Sequence, residues 1–140
     1  MESYKHIENS IGGYIAGHYF RAVEVGIGRN TRAAEIISRA GVLLRTTDVK
    51  EFGHPEAMNF VQNDVFEPDL PLYREADVIY SVRPAIEMVP PMIDLARAVN
   101  CDLVVYHLGF ELYGSGGERI DTEGIVLHRY HRRSEPVEER

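Results

Sequence analysis

Tyr4, Ile7, Ile11, Tyr14, Ile15 and His18 recur along the start of the chain at steps of three and four. That spacing fits one face of an amphipathic helix over about 2–18, weakened by the adjacent Gly12 and Gly13. The period then changes. Arg21 to Gly26 is short, branched and closed by glycine, the pattern of a first strand. From Thr31 to Ala40 the residues Ala33, Ala34, Ile36, Ile37 and Ala40 cover one side of a second helix, with Asn30 or Thr31 placed to cap it and Gly41 to end it.

Val42 to Thr46 reads as a second strand closing on Asp48, Met58 to Gln62 as a third, Ala76 to Ser81 as a fourth and Cys101 to His107 as a fifth. Loops rich in glycine or proline fall at 50–57 and 67–71. A helix lies within 84–99, with Pro90 or Pro91 suited to its first turn. Gly114 to Gly117 reads as a mobile turn, and Gly124 to Tyr130 as a last strand. Strands alternating with helices predict an α/β fold, a single Rossmann-like doubly wound, mainly parallel sheet of five to six strands. The expected domain spans 1–133, with 134–140 a charged tail.

Composition narrows the function classes. A length of 140 residues suits one domain with its own core, and 44% hydrophobic with 26% charged residues is the balance of an ordinary globular chain. A formal net charge of −7 argues against an extended nucleic-acid surface, which needs Lys and Arg to displace counterions. The basic run from His128 to Arg133 is followed at once by Glu135, and reads as solvated. Cys101 is the only cysteine, so an intrachain disulfide is impossible, and its apolar setting reads as core. No apolar run approaches the roughly 18 residues of a membrane span, and the first residues lack the apolar stretch of a signal peptide, which makes the cytoplasm the expected compartment.

In open α/β sheets ligands bind beyond the carboxyl ends of the strands, where strand order reverses. Those ends carry Glu24-Val25-Gly26-Ile27-Gly28, then Thr47-Asp48, then Asn63-Asp64-Val65, then Ser81-Val82-Arg83-Pro84, and last His107-Leu108-Gly109. Glycines at the first turn let a ligand approach the backbone, and the helix start beyond offers free N–H groups. Asp48 lies at the tip of the second strand, where a carboxylate can accept both hydroxyls of a ribose. Together they predict an adenosine-type ligand. The sixth position of a dinucleotide fingerprint is here Thr31, which disfavours NAD, and no Gly-Lys-Ser/Thr follows the glycines, which excludes a phosphate-binding P-loop.

Glu24 to Gly28 resembles the first motif of class I S-adenosylmethionine-dependent methyltransferases, an acid two residues before the first glycine. Asn30 stands where that family usually has a third glycine, and asparagine tolerates left-handed backbone angles. The resemblance implies S-adenosylmethionine as cofactor, S-adenosylhomocysteine as its product form, and contacts from Glu24, Gly26 and Gly28 to the methionine end, Asp48 to the ribose, and Asp64 with Val65 to the adenine, with Asn30 counted among the cofactor-binding residues. More of the chain, namely 23–26, 47–50, 64–65 and Ile79 to Pro84, resembles the small, mostly archaeal UPF0146 family. That second resemblance implies the methyltransferase-like fold and carries no activity with it.

The methyltransferase resemblance sets Ser81, Arg83 and Pro84 near the transferable methyl, where a substrate would be held. Arg83 suits an anion clamp, or an ion pair with Glu87 one helical turn on. His107 is the candidate general base, against a purely structural role, and Tyr80 reads as core by strand alternation. His128 and His131 face opposite sides if they lie on a strand, so no metal site is expected. Two functions from different classes follow. One is methyl transfer to an unidentified acceptor, with a partner protein supplying recognition that so short a chain lacks. The other is a noncatalytic adenosyl-cofactor-binding or regulatory module. An NAD-dependent enzyme is the lesser third.

Overall fold

A computed structural model describes residues 3–135. Glu2, the side chain of Tyr4 and the tail positions 136–140 lie outside the described residues. Three α-helices, α1 (Ser3–His18), α2 (Arg32–Arg39) and α3 (Val89–Val99), accompany seven strands: β1 (Ala22–Val25), β2 (Leu43–Asp48), β3 (Phe60–Gln62), β4 (Val78–Val82), β5 (Asp102–Tyr106), β6 (Glu118–Thr122) and β7 (Ile125–His131).

The sheet runs β3-β2-β1-β4-β5-β7-β6. Its first five members are parallel, and β7 and β6 are antiparallel. The expected five to six strands therefore become seven. The added one is β6, joined to β7 through Glu123 and Gly124, both at positive φ. Its sequence, Glu-Arg-Ile-Asp-Thr, has only Ile120 and Thr122 half-buried. Such a charged edge strand carries little hydrophobic signal, and its charges blunt an otherwise open edge. The third strand also begins later than expected, because Glu56–Met58 forms a 3₁₀ turn and Asn59 takes a left-handed φ of 49°.

Strand alternation divides the interior into two layers. Val23, Val25, Ile79, Leu103 and Val105 face α3, meeting Met92 and Leu95. Ala22, Val78, Tyr80 and Val104 face the other way, toward Ile11 and Ile15 of α1 and Ile37 of α2. All four residues of β1 are buried, as expected of a central parallel strand covered on both faces. Cys101 belongs to the α3 layer, and burial pushes its thiol up to about 12, so it is inert core.

Helix α2 begins after Thr31, whose side chain makes no capping bond. The Asn30 side-chain oxygen accepts from the Arg32 N–H at 3.1 Å, and Gly41 at φ +77° ends the helix. Helix α3 begins at Val89 with prolines in its first turn. The chain crosses from β3 at the sheet edge to β4 beside β1, so strand order reverses between β1 and β4. That reversal fixes the position of the cleft. No described helix is long and apolar enough to cross a membrane.

Candidate functional site

The turn after β1 is held by backbone bonds from both Gly26 and Ile27 N–H to the Thr47 carbonyl at the end of β2, at 2.8 and 3.1 Å. Gly26 needs to be glycine for its φ of +74°, and a Cβ there would also stand 3.3 Å from the Met88 methyl. Gly28, at φ +59°, donates its N–H to Asp48 Oδ2 at 2.8 Å. Its carbonyl is bonded by His54 Nε2 at 2.7 Å, and that imidazole stacks on Phe60. His54 therefore braces the turn from a loop that carried no site signal in the sequence.

Two cavities meet at this turn and share Gly26 and Arg83. One, of about 330 Å³, is bordered by Asp48, Asp64 and Val65, the residues matched to ribose and adenine. Asp64 is fixed through Oδ1 by the Phe66 N–H at 2.9 Å. The other, of about 360 Å³, is bordered by Glu24 and Gly28, matched to the methionine end, and by Asn30. The structure thus brings together all seven residues that the sequence proposes for the cofactor.

Val49 and Phe66 also border the first cavity, with 58% and 56% of their surface exposed. The sequence reading missed both, although an apolar residue in a loop just after each acid, Asp48 and Asp64, was the available signal. Asp48 keeps spare acceptor capacity. Its two oxygens take one backbone N–H each, from Gly28 and from Lys50, and a carboxylate has about four lone-pair sites.

Glu24 is 1% exposed, on the same sheet face as Ala22 and Tyr80. The Tyr80 hydroxyl donates to its Oε1 at 2.7 Å, so Tyr80 is a core residue with a polar duty. Burial pushes the Glu24 carboxyl up to about 8, with the charges of Glu8 and Asp48 adding to the rise and the Tyr80 hydrogen bond opposing it.

Asn30 departs from expectation. Its backbone is not among the left-handed positions; its side chain accepts from the Arg32 N–H at the start of α2 and donates to Glu8 Oε2 at 2.8 Å. Arg83 is the left-handed residue, at φ +52°, held by its N–H on the Tyr106 carbonyl. Its guanidinium grips Glu8 at 2.8 and 3.3 Å and lies 5.2 Å over the Tyr106 ring. The ion pair therefore falls to Glu8 of α1 rather than to Glu87. Glu8 itself is 1% exposed, and no spacing in the sequence could link a residue of α1 to one after β4.

The candidates for chemistry are not brought together. Ser81 is buried and donates its hydroxyl to the Val25 carbonyl at 2.7 Å, tying β4 to β1. His107 lines a separate cavity beyond Tyr106, bonded through Nε2 to the Tyr130 hydroxyl at 2.6 Å, so it does not border the cleft as a base over the methyl would. His128 and His131 are each spent on a backbone carbonyl, of Gly116 and Cys101.

Comparison with known proteins places the fold and the family. The RNA methyltransferase of Salinibacter ruber, solved with S-adenosylhomocysteine, superposes with a TM-score of 0.54 over 96% of this chain and 92% of its own, at 15% sequence identity, which establishes a shared fold. The UPF0146 protein of Archaeoglobus fulgidus is 41% identical over 96 residues, 68% of this chain and 74% of its own length. That of Pyrococcus horikoshii is 30% identical over 114 residues, 79% of this chain and 87% of its own. The profile described as Uncharacterised protein family (UPF0146) matches residues 9–121, from within α1 to β6, so this chain belongs to the UPF0146 family.

Proposed function

We propose that the protein binds S-adenosylmethionine in the cleft between β1, β2 and β4 and serves methyl transfer to an acceptor. The observation that carries this reading is the charge and shape of the cleft. Asp48, Asp64 and Glu87 border it, the buried Glu24 lies behind the turn, and Arg83 and Arg29 complete the wall. Such a lining suits the sulfonium and ammonium of S-adenosylmethionine and a ribose that needs acceptors, and it repels a polyphosphate. The carboxylate of the cofactor would compete with Glu8 for Arg83, and the adenine would lie between the exposed Val49 and Phe66.

When bound, the cofactor supplies an electrophilic methyl carbon, which the acceptor's lone pair takes as the sulfonium becomes a neutral thioether. Alignment of the two reactants supplies much of the rate, so a protein base is dispensable where the acceptor's proton can leave to water. Engagement of the Ser81 hydroxyl and of the Arg83 guanidinium within the protein favours a second reading, a binding module without turnover.

Incubation with methyl-labelled S-adenosylmethionine and a cell extract separates the two. A methyltransferase yields labelled product and S-adenosylhomocysteine, both lost in Asp48→Ala. A binding module retains the cofactor, as seen by equilibrium dialysis, and forms neither.

A further inference from the structure

On its β6 side the sheet ends in an open edge, with no described element beyond it. Glu123 and Gly124, at φ of 48° and 81°, are the two residues of the hairpin loop between β6 and β7. The bond that closes such a turn joins its flanking residues, here Thr122 and Ile125. Hydrogen-bonded pairs alternate with open ones along an antiparallel ladder. Ile120, opposite Leu127, and Glu118, opposite Arg129, therefore spend their backbone groups on β7 as Thr122 does. The N–H and C=O of Arg119 and Asp121 point outward, a template for another strand.

The side chains of those two residues decide which strand fits. Arg119 and Asp121 stand on one face of β6, 65% and 68% exposed, and pair with each other at 3.0 Å. Against an arbitrary strand such charges obstruct pairing; against an antiparallel second β6 they select a register. Outward groups must meet outward groups, so two copies can centre on Arg119, on Ile120 or on Asp121. Centring on Arg119 sets two guanidiniums face to face, and centring on Asp121 sets two carboxylates face to face. Centring on Ile120 sets each Arg119 opposite the Asp121 of the other copy and each Glu118 opposite Thr122. Opposite charges directly across a strand pair attract and like charges repel, which leaves the register centred on Ile120. That join also covers Ile120, which its own chain leaves half-buried.

We propose that the β6 edge docks a second copy of this chain, antiparallel about Ile120, so that two seven-stranded sheets become one. The two-fold axis of such a join is normal to the sheet, and the clefts of the two copies open toward opposite ends. Strands β5, β7 and β6 stand between each cleft and the join, so association neither needs the cofactor nor blocks it. A five-residue edge buries little against the roughly 1,200 Å² of a stable interface, so the association is weak and concentration-dependent.

Sedimentation velocity on the full chain, up to millimolar concentration, tests this. The wild type is expected to show a reversible monomer–dimer equilibrium that weakens with added salt. Arg119→Asp leaves only carboxylates on the outward positions and Asp121→Arg only guanidiniums, so each alone should associate tenfold or more weakly. An equimolar mixture of the two variants should recover association, because every carboxylate of one then faces a guanidinium of the other. Recovery also shows that both variants are folded, as expected of changes at exposed positions. A wild type that stays monomeric throughout, single variants that associate as the wild type does, or a mixture that fails to recover would overturn the proposal.

Discussion

Glu24 sits where a carboxyl is hardest to ionise, closed off from water and near the carboxylates of Glu8 and Asp48. Its folded pKa of about 8 lies above the ordinary 4.5, so between those values the folded protein holds a proton that the unfolded chain has released. Stability must then fall as pH rises through that window. Glu24→Gln, which keeps an acceptor for Tyr80, is expected to flatten the fall and to stabilise the protein by about 1–3 kcal/mol at pH 8. Thermal unfolding of both proteins at about pH 5, 6.5 and 8 reads it directly. An ammonium brought into the cleft should drive Glu24 to ionise, so S-adenosylhomocysteine affinity should rise toward pH 8 in the wild type and less in the variant. The sequence marked Glu24 as an acid at a strand end and could not tell its charge state, because Tyr80 and Glu8 reach it from distant positions.

At the level of elements, α1 is more than a cover for the sheet. It supplies Glu8 to Asn30 and Arg83, and it crosses α2 at Gly12, where an added Cβ would stand 2.9 Å from the Ile36 Cβ and 3.1 Å from the Ala33 carbonyl. Gly13 faces open space. The paired glycines that weaken the helix on paper therefore have opposite worth. Gly13→Ala should add roughly 0.5–1 kcal/mol by propensity, while Gly12→Ala should cost about 1–3 kcal/mol by overpacking and should also loosen cofactor binding through Glu8. Denaturant midpoints of the two variants check the contrast.

Strongly patterned elements such as α2, β1, β4 and β5 are legible from periodicity and end signals. The edge strand β6 was not, because Glu118, Arg119 and Asp121 erase the alternation that marks a half-buried strand. Of the site, the glycine turn and the three acids could be read because they sit at strand ends that the fold must bring together. Glu8, His54 and the separation of His107 from the cleft depend on tertiary packing, which spacing along a chain does not encode.

At the scale of the whole molecule, an acidic protein of net charge −7 bears at the reversal of its sheet a cleft bordered by Asp48, Asp64 and Glu87. The cleft should therefore discriminate by charge, admitting an adenosyl group with a cationic arm and rejecting polyphosphates. Thermal unfolding of the full chain with S-adenosylhomocysteine, S-adenosylmethionine, NAD and ATP in parallel tests that claim. A ligand at 100 times its Kd adds about 2.7 kcal/mol. For a chain of 140 residues that raises the midpoint by roughly 9 °C. The account predicts such a rise for the two adenosyl-sulfur compounds alone, and its loss in Asp48→Ala measured against that variant's own ligand-free midpoint. A comparable rise with NAD or ATP, a response that survives Asp48→Ala, or no rise with either adenosyl-sulfur compound would contradict it.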